Sequence, residues 1–292
     1  VAFDRSAGFG VAVLILIWGT TFAAIRVGLE TVPPFAGIAL RFAIAAGVLF
    51  VGAWIVGADW RAGGNQWGLW VLNAVCHFIV PYGVVYWSEQ WLPSGLVALL
   101  FSTNPLFVAL LAHLLLPGER LGRLGWLGVV AGFAGVATIY SEDLSALGGE
   151  EAQRVAIVFL AAPLVAAIGD VLIKRFWSRV HAVSLTAPSL ALTAVAMTAL
   201  SLAFEDPASV ELDAKAWAII LYLALFGTAL AFTVYFRLLA RVRVTGLTLI
   251  AYPIPVVALL IGAIWLDEVI TWRVGFGGLL ILVGVWAALR RR

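Results

Sequence analysis

The chain has 292 residues, 63% of them hydrophobic and 12% charged, with a formal net charge of +2. A soluble domain of that size could not wet its surface with so few charges, so a water-soluble globular protein is excluded. The only cysteine, Cys76, excludes a disulfide framework and a cysteine metal site.

A bilayer core roughly 30 Å thick is crossed by about 20 helical residues. Ten apolar runs of that length follow one another, at about 8 to 28, 34 to 56, 67 to 88, 93 to 115, 121 to 140, 154 to 174, 184 to 204, 215 to 236, 244 to 265 and 270 to 289. The first has no convincing small-residue cleavage site before its end and is read as a retained span. The fold class is therefore all-α integral membrane, with ten transmembrane helices.

Basic residues set the orientation. Thirteen fall on the side shared by both termini, among them Arg120, Arg123, Lys174, Arg175, Arg237 and Arg241. Arg26, Arg154, Lys215 and Arg273 fall on the other side. The positive-inside rule then makes both termini cytoplasmic. These residues are juxtamembrane, which points to orientation and lipid headgroups rather than nucleic acid. Twelve of the thirteen tryptophans fall near an interface, as indoles prefer. The exception, Trp18, lies near the middle of span one and is expected to face the bundle interior.

Span two carries Arg41 about seven residues from its outer end, where an unpaired guanidinium is costly. It is read as a structural charge ahead of a direct substrate contact, with Glu30, Glu89 or helix-end carbonyls as candidate partners. Span three aligns Phe78, Tyr82 and Tyr86 on one face, with Asn73 and His77 beside it. His77 is the only histidine near mid-depth. It is read as bonded to Asn73 or a backbone carbonyl, or as a group that contacts substrate or couples transport to protons.

Span four contains Asn104-Pro105 and span nine Pro253 and Pro255, at mid-span in both. Proline removes a backbone donor, so both helices are expected to bend or open there, with Pro105, Pro253 and Pro255 as hinges. Paired interruptions near the bilayer centre mark a transporter substrate site. Around it, Trp18, His77, Phe78, Tyr82, Ser102, Asn104, Pro163, Thr248 and Tyr252 are the candidate substrate-binding residues, an aromatic and mildly polar lining. Asp170 and Lys174 in span six read as an intrahelical pair at the cytoplasmic edge.

Span five places Gly125, Gly128, Gly132 and Gly135 on one face, and span ten Gly277, Gly284 and Ala288 on another. Close crossing within one chain, and a monomer, are expected. The polar stretch from Ser141 to Arg154 separates five spans from five. Ser94-Gly95-Leu96 matches Thr245-Gly246-Leu247, and Glu119 matches Glu268, as a duplication would give. An odd number of spans per repeat inverts the second repeat.

Leu16-Ile17-Trp18-Gly19-Thr20-Thr21-Phe22, Leu40-Arg41-Phe42, and Pro105 through Leu116-Pro117-Gly118-Glu119-Arg120-Leu121 resemble an EamA repeat of the drug/metabolite transporter superfamily. Tyr252 to Pro255 and Leu266-Asp267-Glu268 resemble a second. The resemblance covers the whole chain, with residues 1–147 as the first repeat and 148–292 as the second in one structural domain. It implies a bacterial inner-membrane secondary transporter working by alternating access, and within the superfamily the chain resembles YddG-type exporters of aromatic amino acids. The expected partners are small-molecule substrates, amino acids and related metabolites, and the lipid bilayer. A broad drug or nucleotide-sugar carrier is the alternative, and a channel a more distant one.

No G-x-x-x-x-G-K-S/T loop appears, which argues against an ATP-driven pump on this chain, and no cofactor is expected. An intramembrane enzyme would need acids, metal ligands or an activated nucleophile at one depth. Ser102, His77 and a carboxylate do not assemble if Asp170 stands at the membrane edge. With no mid-depth carboxylate, transport is expected to run down the substrate's own gradient.

Overall fold

The computed structural model describes residues 5–55, 66–142, 151–176, 182–239 and 252–289, and every regular element among them is helical. Lipid dictates this, because a spanning segment without water must satisfy its backbone internally. In chain order the elements are α1 (Arg5–Gly28), α2 (Pro34–Ile55), α3 (Gln66–Ser88), α4 (Ser94–Leu115) and α5 (Arg123–Tyr140). After residue 150 come α6 (Ala152–Phe176), α7 (Ala182–Phe204), α8 (Ala214–Tyr235), α9 (Pro253–Trp265) and α10 (Trp272–Leu289). All but α9 are long and apolar enough to cross a bilayer. The first turns expected for span nine, and the expected repeat boundary at 147/148, lie outside the described residues.

Packing follows the two inverted five-helix repeats. The packing of α1 on α9 has its counterpart in α6 on α4, and that of α2 on α8 in α7 on α3. The pairs α2 with α7, α4 with α9 and α5 with α10 map onto themselves. Such a map is what a pseudo-twofold axis in the membrane plane generates.

The α5–α10 pair is a glycine seam within one chain, as the spacing predicts. A Cβ on Gly135 would stand 2.4 Å from the Gly277 carbonyl oxygen, and one on Gly128 2.5 Å from that of Gly284. Backbone meets backbone there, and dispersion holds the pair without polar side chains. Outside the bundle, Trp54, Trp67, Trp126, Trp265, Trp272 and Trp286 are exposed, as an interfacial belt requires.

The central helices are interrupted. α4 breaks at Ser102 and Thr103, just before Asn104-Pro105, as expected. The Ser102 and Thr103 hydroxyls donate to the Leu99 and Leu100 carbonyls at 2.6 and 2.7 Å. α6 breaks at Leu160, ahead of Pro163. Unforeseen are π-helical turns at matching places in the two repeats, Ala74–Ile79 in α3 and Tyr222–Leu230 in α8. In α3 the cause is Pro81, which lacks the N–H that the His77 carbonyl would accept. In α8 the Thr228 hydroxyl donates to the Leu223 carbonyl, five residues back, at 2.9 Å.

Two carboxylates cap helices of the opposite repeat. Glu205, just past α7, accepts from the Phe35 and Ala36 N–H groups at the start of α2, at 2.7 and 3.0 Å. Glu268 accepts from Ser94 and Gly95 at the start of α4, at 2.6 and 2.9 Å. Asp267 takes a left-handed φ of 52° and turns the chain so that Glu268 reaches inward. Each cap places a negative charge on the positive end of a helix dipole.

Candidate functional site

Aromatic rings from both repeats form a connected series through the bundle. Trp18 packs against Phe232 and Tyr235 of α8, with centroids 6.0 and 5.8 Å apart. Phe232 meets Phe78 at 5.9 Å, and Phe78 meets Phe42 and Tyr82 at 5.5 and 6.2 Å. Phe42 and Tyr82 stand edge to face at 4.8 Å. Trp18, Phe78 and Tyr82 therefore come together. Phe42, Phe232 and Tyr235 complete the series and were not among the candidate lining residues read from the sequence.

Arg41 ends this series and is 1% exposed. Neither expected carboxylate binds it: Glu30 pairs with Lys215 at 2.6 Å, while Arg41 donates to Thr228 Oγ1 at 3.0 Å and to Tyr86 Oη at 3.3 Å. Its guanidinium carbon lies 4.9 Å from the Tyr82 ring centroid and 5.4 Å from that of Phe42. Beside it is a cavity of about 80 Å³ lined by Thr21, Phe22, Ile25, Arg41, Pro81, Tyr82, Val85 and Phe101.

Glu89, one residue beyond α3, is fully buried, and neither carboxylate oxygen has a hydrogen-bond partner among the described residues. Its backbone carbonyl accepts from Arg26. Burial and the nearby negative charge of Glu268 push its carboxyl well above the usual carboxylate range, against the pull of Arg26 and Arg41.

His77 requires a correction. Its Nε2 lies 3.0 Å from Asp170 Oδ1, not against Asn73 or a carbonyl, and its Nδ1 is buried without a partner. Lys174 reaches across to Glu119, so the intrahelical pair with Asp170 is not made. The π turn in α3 and Gly169 in α6 allow the approach, since a Cβ at Gly169 would stand 2.6 Å from the imidazole. A histidine and a carboxylate thus do pair between α3 and α6, with the Asp170 side chain 47% exposed, which corrects the expectation that the two stay apart. Ser102 stays apart from them, with its hydroxyl turned into its own helix.

The remaining candidates divide. Asn104 Nδ2 donates to the Pro163 carbonyl at 3.1 Å, tying the break in α4 to that in α6. Pro105 sits in the first turn of the second half of α4, and Pro253 and Pro255 in the first turn of α9. Tyr252 is half-buried against the main core, with no ring contact to the aromatic series among the described residues. Thr248 lies outside the described residues.

Inverted repeats, helices broken near mid-span and a lined interior define a multi-pass membrane transporter. The EamA-like transporter family matches residues 6–141 and again 153–290, and the chain belongs to that family. It is 27% identical over 282 residues to the uncharacterized transporter YoaV of Bacillus subtilis, covering 95% of this chain and 94% of that one. It is 30% identical to the uncharacterized inner membrane transporter YedA of Escherichia coli, over 85% of this chain and 79% of that one. One solved crystal structure shares the fold with a TM-score of 0.70 at 23% identity, covering 98% of this chain and 97% of the other.

Proposed function

We propose that the chain exports small amphipathic metabolites, aromatic and large neutral amino acids first, by alternating access through the central cavity. The observation that carries this reading is the series of six rings linking Arg41 to Trp18 and Tyr235 across both repeats. Such a surface offers apolar area and ring edges to a substrate side chain. In this reading Trp18, Phe78, Tyr82, Thr248 and Tyr252 contact the substrate. Asn104, Pro163 and the Ser102 break shape the floor, and His77 acts through Asp170.

Pro105, Pro253 and Pro255 act as hinges. Pro105 follows the break in α4, and Pro253 and Pro255 stand in the first turn of α9, where a missing N–H costs no intrahelical bond. The protein works as a monomer in the inner membrane, its two repeats joined near 147/148 and both termini cytoplasmic. An impermeant maleimide should leave position 178 unlabelled and label position 147 on intact cells in a Cys76→Ala background.

The deciding experiment is counterflow in liposomes holding the pure protein, with radiolabelled amino acids, cationic drugs and nucleotide sugars. Saturable exchange of phenylalanine, tryptophan or leucine is the expected result. Uptake of drugs or nucleotide sugars without amino-acid exchange would overturn the substrate class, and unsaturable flux would overturn the carrier.

A further inference from the structure

We propose that Arg41 is the anion-recognition group of the transport site, and that its ligand is the single carboxylate of an amphipathic substrate. This deepens the reading above and rests on it for the route by which substrate arrives. The argument begins with cost. A guanidinium removed from water needs acceptors for five N–H groups and a counter-charge. Arg41 has acceptors in the Thr228 and Tyr86 hydroxyls, both neutral, and no carboxylate within ion-pair distance among the described residues.

The groups facing it are the Tyr82 and Tyr86 phenols and, at longer range, Glu89. Glu89 in turn shares its surroundings with Arg26 and Glu268. Two cations thus face two carboxylates, of which Glu268 already serves the N-terminus of α4. Arg41 is the member of this group that borders a cavity, and no carboxylate lies within ion-pair distance of it among the described residues.

The cavity wall selects the anion. Around the guanidinium stand Phe22, Ile25, Pro81, Val85 and Phe101, with the Thr21 hydroxyl and Tyr82 the only other polar groups. A monovalent carboxylate can be neutralised there by Arg41 alone, through the parallel N–H pair that arginine presents. A diphosphate would leave charge uncompensated in an apolar wall. Size agrees, since about 80 Å³ is roughly half of the 150 Å³ cavity that admits benzene. It takes a head group, and the ring of the substrate extends toward Tyr82 and Phe42. Gly227 keeps the approach open, because a Cβ there would meet the Thr21 methyl at 2.9 Å and the Arg41 Nη2 at 3.4 Å.

The test uses the purified full chain and two readouts. In liposomes, phenylalanine counterflow is competed with hydrocinnamate, which keeps the carboxylate and lacks the ammonium, and with phenylalaninamide and phenethylamine, which lack the carboxylate. In detergent, thermal stabilisation by hydrocinnamate reads binding without transport. Hydrocinnamate should compete about tenfold or more better than the amide and amine, and should stabilise the wild type. Arg41→Lys keeps the charge but loses the fork, and should remove most of that preference while the protein still purifies as a monodisperse species.

Equal competition by phenylalanine and its amide, or an unchanged preference in Arg41→Lys, overturns the carboxylate role and leaves the transport function standing. Absent phenylalanine exchange, with hydrocinnamate still stabilising the wild type and not Arg41→Lys, overturns the transport reading and leaves the anion site standing. Failure of both readouts overturns both.

Discussion

The α5–α10 seam and the centre of the bundle solve opposite problems with the same kind of helix. At the seam, small residues let two regular helices touch backbone to backbone, with Gly128 and Gly135 against Gly284 and Gly277. At the centre, α3, α4, α6 and α8 each depart from α-helical bonding within a few turns of the aromatic series. A regular helix leaves no backbone group free and packs as a rigid rod. An interrupted one gives up hydrogen bonds, gains a bend, and must find partners for what it exposes. Rigidity is therefore placed at the seam and compliance around the cavity.

The sharpest way to break that contrast is to give the seam a side chain. Gly135→Leu should cost at or above the roughly 3 kcal/mol of severe overpacking, because the new atoms meet backbone rather than a movable side chain. Gly47→Leu in α2, where a Cβ meets nothing within 4 Å, should stay within about 0.5 kcal/mol. Thermal unfolding in detergent compares the two, and equal losses would mean that the seam is no tighter than the lipid-facing surface.

Next in size are the carboxylate caps. Glu268→Ala and Glu205→Ala each strand two helix N–H groups and remove a charge from a helix N-terminus, a loss of about 1 to 2 kcal/mol apiece. If centre and seam are independent, either change should add to a mild seam variant such as Ala287→Gly, whose methyl packs beside Gly128. Strong non-additivity in thermal unfolding would join the two regions into one unit.

Glu89 gives a pH-dependent prediction. Burial raises its carboxyl in the folded protein, so the folded chain holds a proton that the unfolded chain releases. Its contribution is complete below the usual carboxylate range and is lost as pH rises through the raised value. Melting temperature should therefore fall across that window, and Glu89→Gln should flatten the fall. A melting curve whose pH slope is the same in Glu89→Gln assigns the dependence to another group.

The smallest effect belongs to Trp18. Trp18 packs against Phe232 and Tyr235 at the end of the series, and contact of its indole with a substrate ring is worth about 0.5 to 1.5 kcal/mol beyond buried area, so Trp18→Ala should weaken apparent substrate affinity severalfold at normal expression. Unchanged counterflow constants would place the indole outside the transport route.

What the sequence made legible follows from range. Span positions depend on hydrophobic length, and the seam on glycines at helical spacing, both properties of a single segment. The break at Asn104-Pro105 was legible for the same reason, because proline acts on its own turn. The π turns were not, since the carbonyl that Pro81 frees can be absorbed by a kink or by a widened turn, and packing decides which. His77 with Asp170 stayed hidden because the two lie on different helices, and depth estimates placed Asp170 at the membrane edge. In the sequence Glu268 stands out only as the counterpart of Glu119 and Glu205 not at all, and only the tertiary arrangement brings them to helix N-termini 169 to 174 residues away.

Those two carboxylates also bear on how the protein is made. A chain inserted from its N-terminus places α2 and α4 in the bilayer before Glu205 and Glu268 have been synthesised. Until then the first half holds two helix starts whose N–H groups lack their final acceptors. The first five helices therefore cannot reach their finished form during translation, and the last loop, with Glu268 on its left-handed turn, completes the fourth helix. Maturation is in this sense retroactive: the end of the chain finishes its beginning, and the two repeats become one protein when the second closes the open helices of the first.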